Sequence, residues 1–256
     1  MQAVTVVACS DLHGVVSLCG IIDVAKKEGA KIVVVAGDVQ TAYYGMNPKY
    51  CFEHDVVEPM CEAKAEGIDV VLVPGNHDFY LRDCIMGRRK FPENLHVLCD
   101  SEIELHGLRF YGTPWVPTIN GVWCYEKDDD DLYDVFSRIP CGLDFLVSHT
   151  PPLGLNPDMY DVVHPKTRNG RHLGSAALLY EVDRKKPKCV ICGHIHSGDH
   201  TPTMVCKSFV VNVSLLDESY SPAYPPTVIK FDGNAIFKKG QKKWKNPKTT
   251  SRKSGS

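Results

Sequence analysis

Five short apolar runs in this chain each end in aspartate, asparagine or histidine. The runs are too short for helices and several are bounded by glycine or proline, so each predicts a buried strand. The clusters that follow them are Cys9-Ser10-Asp11-Leu12-His13-Gly14, Gly37-Asp38, Gly75-Asn76-His77-Asp78, Ser148-His149-Thr150 and Gly193-His194-Ile195-His196. One such loop is ordinary, but independent solvated loops would not repeat this composition. Chemistry in α/β proteins gathers at the carboxyl ends of strands, so the repetition predicts a site built from strand ends.

The order of the predicted elements indicates an α/β fold. Strands at 4–8, 32–36 and 70–73 alternate with helices at about 15–28, 51–66 and 82–90. This strand–helix–strand succession implies a parallel sheet. Gly75 is expected to let the backbone turn sharply after the third strand, which would expose Asn76 and His77 at the sheet edge.

The second half of the chain predicts a change of architecture. Short strands at 95–98, 102–105 and 108–111, with His106-Gly107 as a turn, indicate an antiparallel meander that extends or faces the first sheet. The later strands are at 143–147, 188–192, 209–213 and 228–231, and a helix is expected at 175–186. Asp128 to Asp131 precede an apolar periodic segment, so we expect a helix cap there and not metal ligands.

The segment 111–123 combines aromatic residues, prolines and Gly121, and is expected to form a loop over a site. Packing would explain its two tryptophans, Trp115 and Trp123, equally well.

The length of 256 residues suits one large domain, which we expect over 1–237. From 238 to 256 the chain has eight lysines and arginines and no acidic residue, which favours a disordered tail. Such a tail could contact nucleic acid, although a solvated terminus is the simpler interpretation. No apolar run approaches the roughly 20 residues of a membrane helix, and no signal peptide precedes the first strand. A cytoplasmic location is therefore expected, whereas the oligomeric state stays open.

The eleven cysteines do not suggest a disulfide framework, because their number is odd and they are scattered. Cys189 and Cys192 form a C-x-x-C that could indicate zinc or redox chemistry. Because the pair falls within a predicted strand and has no second pair to complete a site, buried free thiols are the favoured interpretation.

The polar clusters suit a pair of divalent metal ions. In an extended segment residues i and i+2 point to the same side, so Asp11 and His13 can bind one cation together. His194 and His196, about 6 to 7 Å apart along the chain, can each reach one of two adjacent metals. Asp38 can bridge them with its two oxygens. Nitrogen and oxygen ligands without thiolate suit Mn²⁺, Fe or Zn²⁺, and such a site would attract a phosphate ester and lower the pKa of a bridging water.

The five clusters together resemble the motifs of the calcineurin-like metallophosphoesterases. The pattern D-x-H, G-D, G-N-H-[DE], H and G-H-x-H is present in order between residues 11 and 196. The resemblance implies an α/β fold with two mixed sheets forming a sandwich flanked by helices.

The resemblance also assigns roles residue by residue. It implies that Asp11, His13 and His196 bind one metal, that Asn76, His149 and His194 bind the other, and that Asp38 bridges the two. His77 matches a non-ligand histidine that holds the substrate phosphate beside Asn76 and can protonate the leaving oxygen. Asp78 would orient the His77 imidazole. Arg168 and Arg171 are candidate phosphate clamps, although surface charge explains them equally well.

The motifs differ from those of the protein Ser/Thr phosphatases in this superfamily. Those phosphatases carry Asp-Arg-Gly after the Gly-Asp motif, whereas here Val39-Gln40-Thr41 follows Gly37-Asp38, and the third motif ends in Asp78 and not in glutamate. We therefore expect a phosphodiesterase that uses a metal-activated hydroxide, with Mn²⁺ as the favoured metal. The alternatives are a phosphomonoesterase of the same fold and a non-catalytic metal-binding scaffold.

Overall fold

The computed structural model describes residues 3–40, 47–153, 173–198 and 200–238. The strands in chain order are β1 Val4–Cys9, β2 Ile32–Ala36, β3 Asp69–Val73, β4 Leu95–Val97, β5 Ser101–Leu105, β6 Leu108–Thr113, β7 Val116–Pro117, β8 Glu126–Lys127, β9 Phe145–Ser148, β10 Cys189–Cys192, β11 Thr203–Val205, β12 Ser208–Asn212, β13 Thr227–Phe231 and β14 Ala235–Phe237. The helices are α1 Leu18–Glu28, α2 Pro48–Phe52, α3 Met60–Ala65, α4 Phe79–Met86, α5 Asp129–Ser137 and α6 Ala176–Lys185.

Two six-stranded mixed sheets make up most of the fold. The first has the order β14-β13-β1-β2-β3-β4, and the second has the order β11-β12-β10-β9-β6-β5. In the first sheet β1 to β4 are parallel, and in the second β12, β10, β9 and β6 are parallel. Each sheet therefore gathers several carboxyl strand ends at one edge.

The two edges are joined by backbone hydrogen bonds after β1 and β12. Ser10 N donates to Val213 O over 2.9 Å, and Leu215 N donates to Ser10 O over 3.1 Å. These bonds bring strand ends of both sheets to one place, which is why residues far apart in sequence meet there.

Alternation along the strands explains the layers. In β2, Val33 and Val35 pack into the cluster that also contains α1, whereas Ile32 and Val34 pack into the cluster between the sheets. Because successive side chains of a strand point to opposite faces, a fully apolar strand such as β2 is buried on both sides. A third cluster packs α5 and α6 against the second sheet. The expected two-sheet sandwich flanked by helices is thus confirmed.

Polar side chains cap four of the described helices, and at the start of α2 Asn47 Oδ1 accepts from Lys49 N and Tyr50 N. Ser17 Oγ accepts a hydrogen bond from Cys19 N at the start of α1, and Ser175 Oγ accepts one from Leu178 N at the start of α6. Asp128 accepts from Asp131 N before α5. The predicted helix cap at Asp128 is therefore confirmed.

Several sequence predictions need correction. The strands after residue 95 do not form a meander: β4 pairs in parallel with β3, whereas β5 and β6 form a hairpin in the second sheet, with His106-Gly107 as its turn. The helix expected at 51–66 is divided into α2, a π-helical turn Glu53–Val57 and α3. The helix expected at 82–90 is α4, which begins directly after Asp78.

Lys238, which the sequence assigned to the tail, belongs to the folded domain. Its backbone nitrogen donates to Val228 O over 3.0 Å, and its ammonium lies 2.7 Å from Glu28 Oε1. The remainder of the predicted tail, 239–256, lies outside the described residues.

Cys189 and Cys192 are buried free thiols within β10, as predicted. Among the helices that the structure describes, none has both the length and the apolar composition required to cross a bilayer.

Candidate metal centre

The polar clusters after β1, β2, β3, β9 and β10 converge at the joined strand ends. Asp11, His13, Asp38 and His194 all have a positive φ, between 46° and 71°. The left-handed region is uncommon for residues other than glycine, and strain of this kind concentrates at functional sites. Four of the seven predicted metal ligands thus share an unfavourable backbone conformation that the surrounding fold maintains.

The first group of converging donors is Asp11, His13 and His196. One potential ligand atom from each lies within 4.8 Å of the others. His196 Nε2 is 3.2 Å from Asp11 Oδ1 and 3.2 Å from His13 Nε2. These three side chains are those that the resemblance places on one metal.

The second group is Asp38, His149 and His194, whose potential ligand atoms also lie within 4.8 Å of one another. Asn76 joins them, because its Oδ1 is 3.0 Å from His149 Nε2. His149 and Asn76 are buried, so their polar atoms cannot rely on bulk water.

Asp38 lies between the two groups. Its Oδ2 is 3.6 Å from His13 Nε2 on one side and 3.3 Å from His149 Nε2 on the other. Its Oδ1 accepts a hydrogen bond from His77 N over 2.8 Å. The carboxylate is therefore shared, as a bridging ligand would need to be.

Backbone carbonyls set the orientation of two imidazoles. His149 Nδ1 lies 2.8 Å from Ala36 O, and His196 Nδ1 lies 3.0 Å from Asp217 O. Because a carbonyl only accepts, each Nδ1 carries a hydrogen. Both rings then direct Nε2 towards the carboxylates, which is the arrangement of metal-binding histidines held from behind.

Asp11 is held by three donors on its Oδ2. Ser10 Oγ donates over 2.5 Å, Ser214 Oγ over 2.7 Å and His194 N over 3.0 Å. Sequence reasoning did not single out the two serines. Their signal was available, since Ser10 and Ser214 also lie just beyond strand ends.

Attraction between histidines and carboxylates outweighs burial in setting the pKa values of four site residues. Burial alone would lower the pKa of His149 and His196, but the carboxylates of Asp38 and Asp11 outweigh it and raise each pKa to about 9. Burial raises the pKa of Asp11 and Asp38, but the facing histidines outweigh this effect and leave both below their usual range.

The other two imidazoles are neutral. Burial lowers the pKa of His13 to about 4 and that of His194 to about 3. Each ring therefore has one nitrogen with an available lone pair at neutral pH, as a metal ligand requires.

Asp78 has a different role from the one expected. Its Oδ1 accepts from Gln40 N over 2.9 Å and its Oδ2 accepts from Gly75 N over 2.7 Å. Within the described residues no hydrogen bond joins it to the His77 ring. Asp78 therefore fastens the loop after β3 to the loop after β2 and does not orient the His77 imidazole. Burial and the nearby Asp38 charge raise the pKa of Asp78 to about 7.

The motif glycines give the ligands room. A β-carbon on Gly37 would overlap the His149 ring, and one on Gly193 would overlap Ser10. Gly75 was expected to permit a sharp turn, yet it has no positive φ, and a β-carbon there would overlap Asp38 Oδ1. Its absence of a side chain, and not its backbone freedom, is what the site requires.

An open cleft of about 640 Å³ lies over the two groups. It is lined by six of the predicted residues, which are His13, Asp38, Asn76, His77, His194 and His196, and also by Ile119, Trp123, Leu173, Ile195, Ser197, Glu218 and Tyr220. The loop expected over a site therefore reaches the cleft at Trp123. Trp115 does not line the cleft, and its Nε1 donates to Asp100 Oδ2. Tyr220 packs edge-on against the His13 and His196 rings, at centroid distances of 4.8 and 5.1 Å. Arg168 and Arg171 lie outside the described residues.

The donor set fits divalent metal ions. Four imidazoles, two carboxylates and one amide converge without thiolate, the composition suited to first-row metals with open positions. His13 Nδ1 is buried and has no partner among the described groups, and two imidazole Nε2 atoms face each other at 3.2 Å. Divalent cations bound between these side chains would accept the lone pairs of imidazole nitrogens that otherwise lack a suitable hydrogen-bond donor.

Comparison with known proteins agrees with this geometry. Residues 4–198 match the model of the calcineurin-like phosphoesterase family. The chain is 36% identical over 163 residues to UPF0046 protein T07D4.2 of Caenorhabditis elegans, covering 59% of this chain and 39% of that protein. It is 35% identical over 142 residues to human metallophosphoesterase domain-containing protein 1, covering 53% of this chain and 40% of that protein. These matches span about two fifths of the length of either relative.

A solved structure shares the fold. The crystal structure of a dimetal phosphatase from Danio rerio has a TM-score of 0.50 and 13% sequence identity, covering 91% of this chain and 98% of that one. Since the family model covers most of the chain and its motifs meet in one cleft, the chain belongs to the calcineurin-like phosphoesterase family.

Proposed function

We propose that this chain is a binuclear metal-dependent phosphoesterase that prefers phosphodiesters. The observation that carries the proposal is the position of the Asp38 carboxylate, which lies within 3.6 Å of one histidine group and 3.3 Å of the other. A single carboxylate shared by two groups of nitrogen donors suits two adjacent ions better than one.

The residues divide between the two ions. Asp11, His13 and His196 would hold one, and Asn76, His149 and His194 the other, with Asp38 on both. Mn²⁺ is the favoured metal, with Fe or Zn²⁺ as alternatives. Two divalent ions held by these residues would supply Lewis acidity and would lower the pKa of a bound water molecule.

In this proposal His77 acts on the ester itself. Its backbone nitrogen is held by Asp38, while its ring is half-buried and lines the cleft. An imidazole in that position can donate a hydrogen bond to the phosphate and a proton to the leaving oxygen. Asn76 would contact substrate beside it, and Asp78 keeps the loop of both residues in place. Arg168 and Arg171 remain candidate phosphate clamps.

Two features support a diester over a monoester. The motifs lack the Asp-Arg-Gly continuation and the final glutamate typical of the protein phosphatases. Of the cleft residues that the structure describes, none is lysine or arginine, and Glu218 is acidic. A phosphodiester carries one negative charge and a monoester up to two, so this lining disfavours the more highly charged substrate.

Hydrolysis of two nitrophenyl esters tests the proposal. With Mn²⁺ bound, bis(p-nitrophenyl) phosphate should show a higher kcat/KM than p-nitrophenyl phosphate. Asp38→Asn should abolish both activities, and His106→Ala, which removes a histidine bonded to Asp69 outside the cleft, should change neither. Preference for the monoester would favour the phosphomonoesterase, and two bound metals without hydrolysis of either ester would favour the scaffold.

A further inference from the structure

The His77 ring packs against the Trp123 indole beside the cleft. Their ring centroids are 4.2 Å apart at an interplanar angle of 37°. On another side the ring meets the edge of His13 at 4.8 Å. Within the described residues no hydrogen bond is made by the His77 ring, so ring contacts are what orient it. We propose that Trp123 is the positioning residue of His77, an inference that rests on the proposed function.

Trp123 is itself held by a carboxylate. Glu126 accepts from Trp123 N over 3.0 Å through Oε2, and from Ile119 N over 2.6 Å and Asn120 N over 3.0 Å through Oε1. Three backbone donors on one carboxylate fold the segment 119–126 into a compact arm. The indole therefore projects from a constrained backbone.

A second bond ties this arm to the loop that carries His77. Cys124 N donates to Asn76 O over 3.0 Å. The residue after the tryptophan is thus joined to the residue before the histidine. On the other side His77 N is held by Asp38. Both rings extend from backbones fixed to each other and to the shared carboxylate, so their packing is part of the site's framework.

The packing of Trp123 against His77 orients the imidazole, which Asp78 does not do. A proton donor must lie within hydrogen-bond reach of the leaving oxygen, and a misplacement of about 1 Å can cost on the order of 10²-fold in rate. In this proposal the indole restricts rotation of the imidazole because the two rings are in contact. Trp123 acts through His77 and has no chemical step of its own.

NMR tests the contact without relying on activity. In the 256-residue chain loaded with Zn²⁺, which is diamagnetic, the His77 ring protons should be shifted upfield by the indole ring current. Their signals are identified by their loss in His77→Asn. Trp123→Ala should return them towards ordinary positions, whereas Trp115→Phe should leave them unchanged. Signals that do not move in Trp123→Ala would overturn the proposal, whether or not the protein hydrolyses any ester.

Kinetics then test the positioning role. On an alkyl phosphodiester, Trp123→Ala should lower kcat by roughly 10- to 100-fold with little change in KM or metal content. Trp123→Phe should recover most of that loss. In a His77→Ala background, Trp123→Ala should cost nothing further, because its effect passes through the missing imidazole.

Ile119→Ala is the matched control, since Ile119 lies on the same arm and lines the cleft. Its effect should be the same with and without His77. If Trp123→Ala raised KM alone, or if its loss added to that of His77→Ala, the indole would be a substrate-binding wall and the proposal would be wrong. If the wild-type chain cleaves no ester, the proposed function fails and the NMR result alone decides on the contact.

Discussion

Gly75 lies directly against the Asp38 carboxylate. A β-carbon at position 75 would overlap Asp38 Oδ1 and would lie 2.7 Å from His149 Cε1. Because Gly75 has no positive φ, the cost of a side chain there is steric alone. Gly75→Ala should therefore displace Asp38, weaken both metal sites and destabilise the fold by about 1–3 kcal/mol. Calorimetric metal titration and thermal unfolding measure the two effects.

Gly107→Ala is the comparison for that experiment. Gly107 has a φ of +75°, and a β-carbon added there would meet nothing within 4 Å, so its substitution costs only backbone strain, about 1–2 kcal/mol. It should lower stability and leave metal affinity unchanged. Equal metal affinity in Gly75→Ala and Gly107→Ala would contradict the expectation that a side chain at position 75 displaces Asp38.

Two divalent ions per chain are expected when Mn²⁺ is in excess. Elemental analysis should approach two equivalents, because the Asp38 carboxylate lies 3.6 Å from His13 in one group of donors and 3.3 Å from His149 in the other. Asp38→Asn should impair both sites, and Asn76→Ala should mainly weaken one. A stoichiometry that never exceeds one would exclude the binuclear centre.

Metal binding should release protons near neutral pH. The pKa of His149 and of His196 is raised to about 9 by the facing carboxylates, so both rings are protonated in the metal-free protein. A metal must displace those protons, so apparent affinity should rise with pH up to about 9. Calorimetry in buffers of different ionisation enthalpy should show release approaching two protons per chain. An observed binding enthalpy that does not change with the buffer's ionisation enthalpy would mean that no protons are released and would contradict these charge pairs.

The same two histidines make the metal-free fold sensitive to alkali. A ring whose pKa is raised above its ordinary 6.5 stabilises the fold fully below pH 6.5 and loses that contribution as pH rises through the folded value. The melting temperature of the metal-free protein should therefore fall between pH 7 and 9. Asp38→Asn removes the partner of His149 and should make the melting temperature less dependent on pH in this range. An unchanged pH dependence would contradict the pairing of His149 with Asp38.

His77→Ala should keep both metals and lose activity in a way that depends on the leaving group. General acid catalysis contributes about 10²- to 10⁴-fold, most for a poor leaving group. The loss in kcat should be of that size on an alkyl ester and smaller on a nitrophenyl ester. Equal losses would make His77 a phosphate binder. Loss of metal would make it a ligand, which its position near His13 and Asp38 also permits.

Deletion of 239–256 should leave folding and hydrolysis of a small ester nearly intact. The cut follows Lys238 because that residue pairs with Glu28. Residues after it are basic and polar, with few apolar side chains to bury. Activity on a chromogenic ester and the melting temperature are the measurements. A large loss in either would show that the segment is integral to the domain.

Short-range sequence patterns were sufficient to predict many elements of this fold. The apolar run of β2 and the capping residue Asp128 are decided by neighbours within a few positions, so the sequence alone predicts them. The five motifs are equally local. Each motif places a ligand-type side chain immediately after a strand, so the end of that strand determines where the side chain lies.

Tertiary structure decided which of these local features meet. Ser214 reaches Asp11 across 203 positions of sequence, and His149 reaches Ala36 across 113. The sequence suggested Asp78 as the partner of His77, but burial places both Asp78 oxygens on backbone donors and leaves the ring to Trp123. The sequence by itself determined which side chains are available at the strand ends. Only the pairing of the two sheets determined their partners, because hydrogen bonds and ring contacts depend on distances that separation along the chain does not encode.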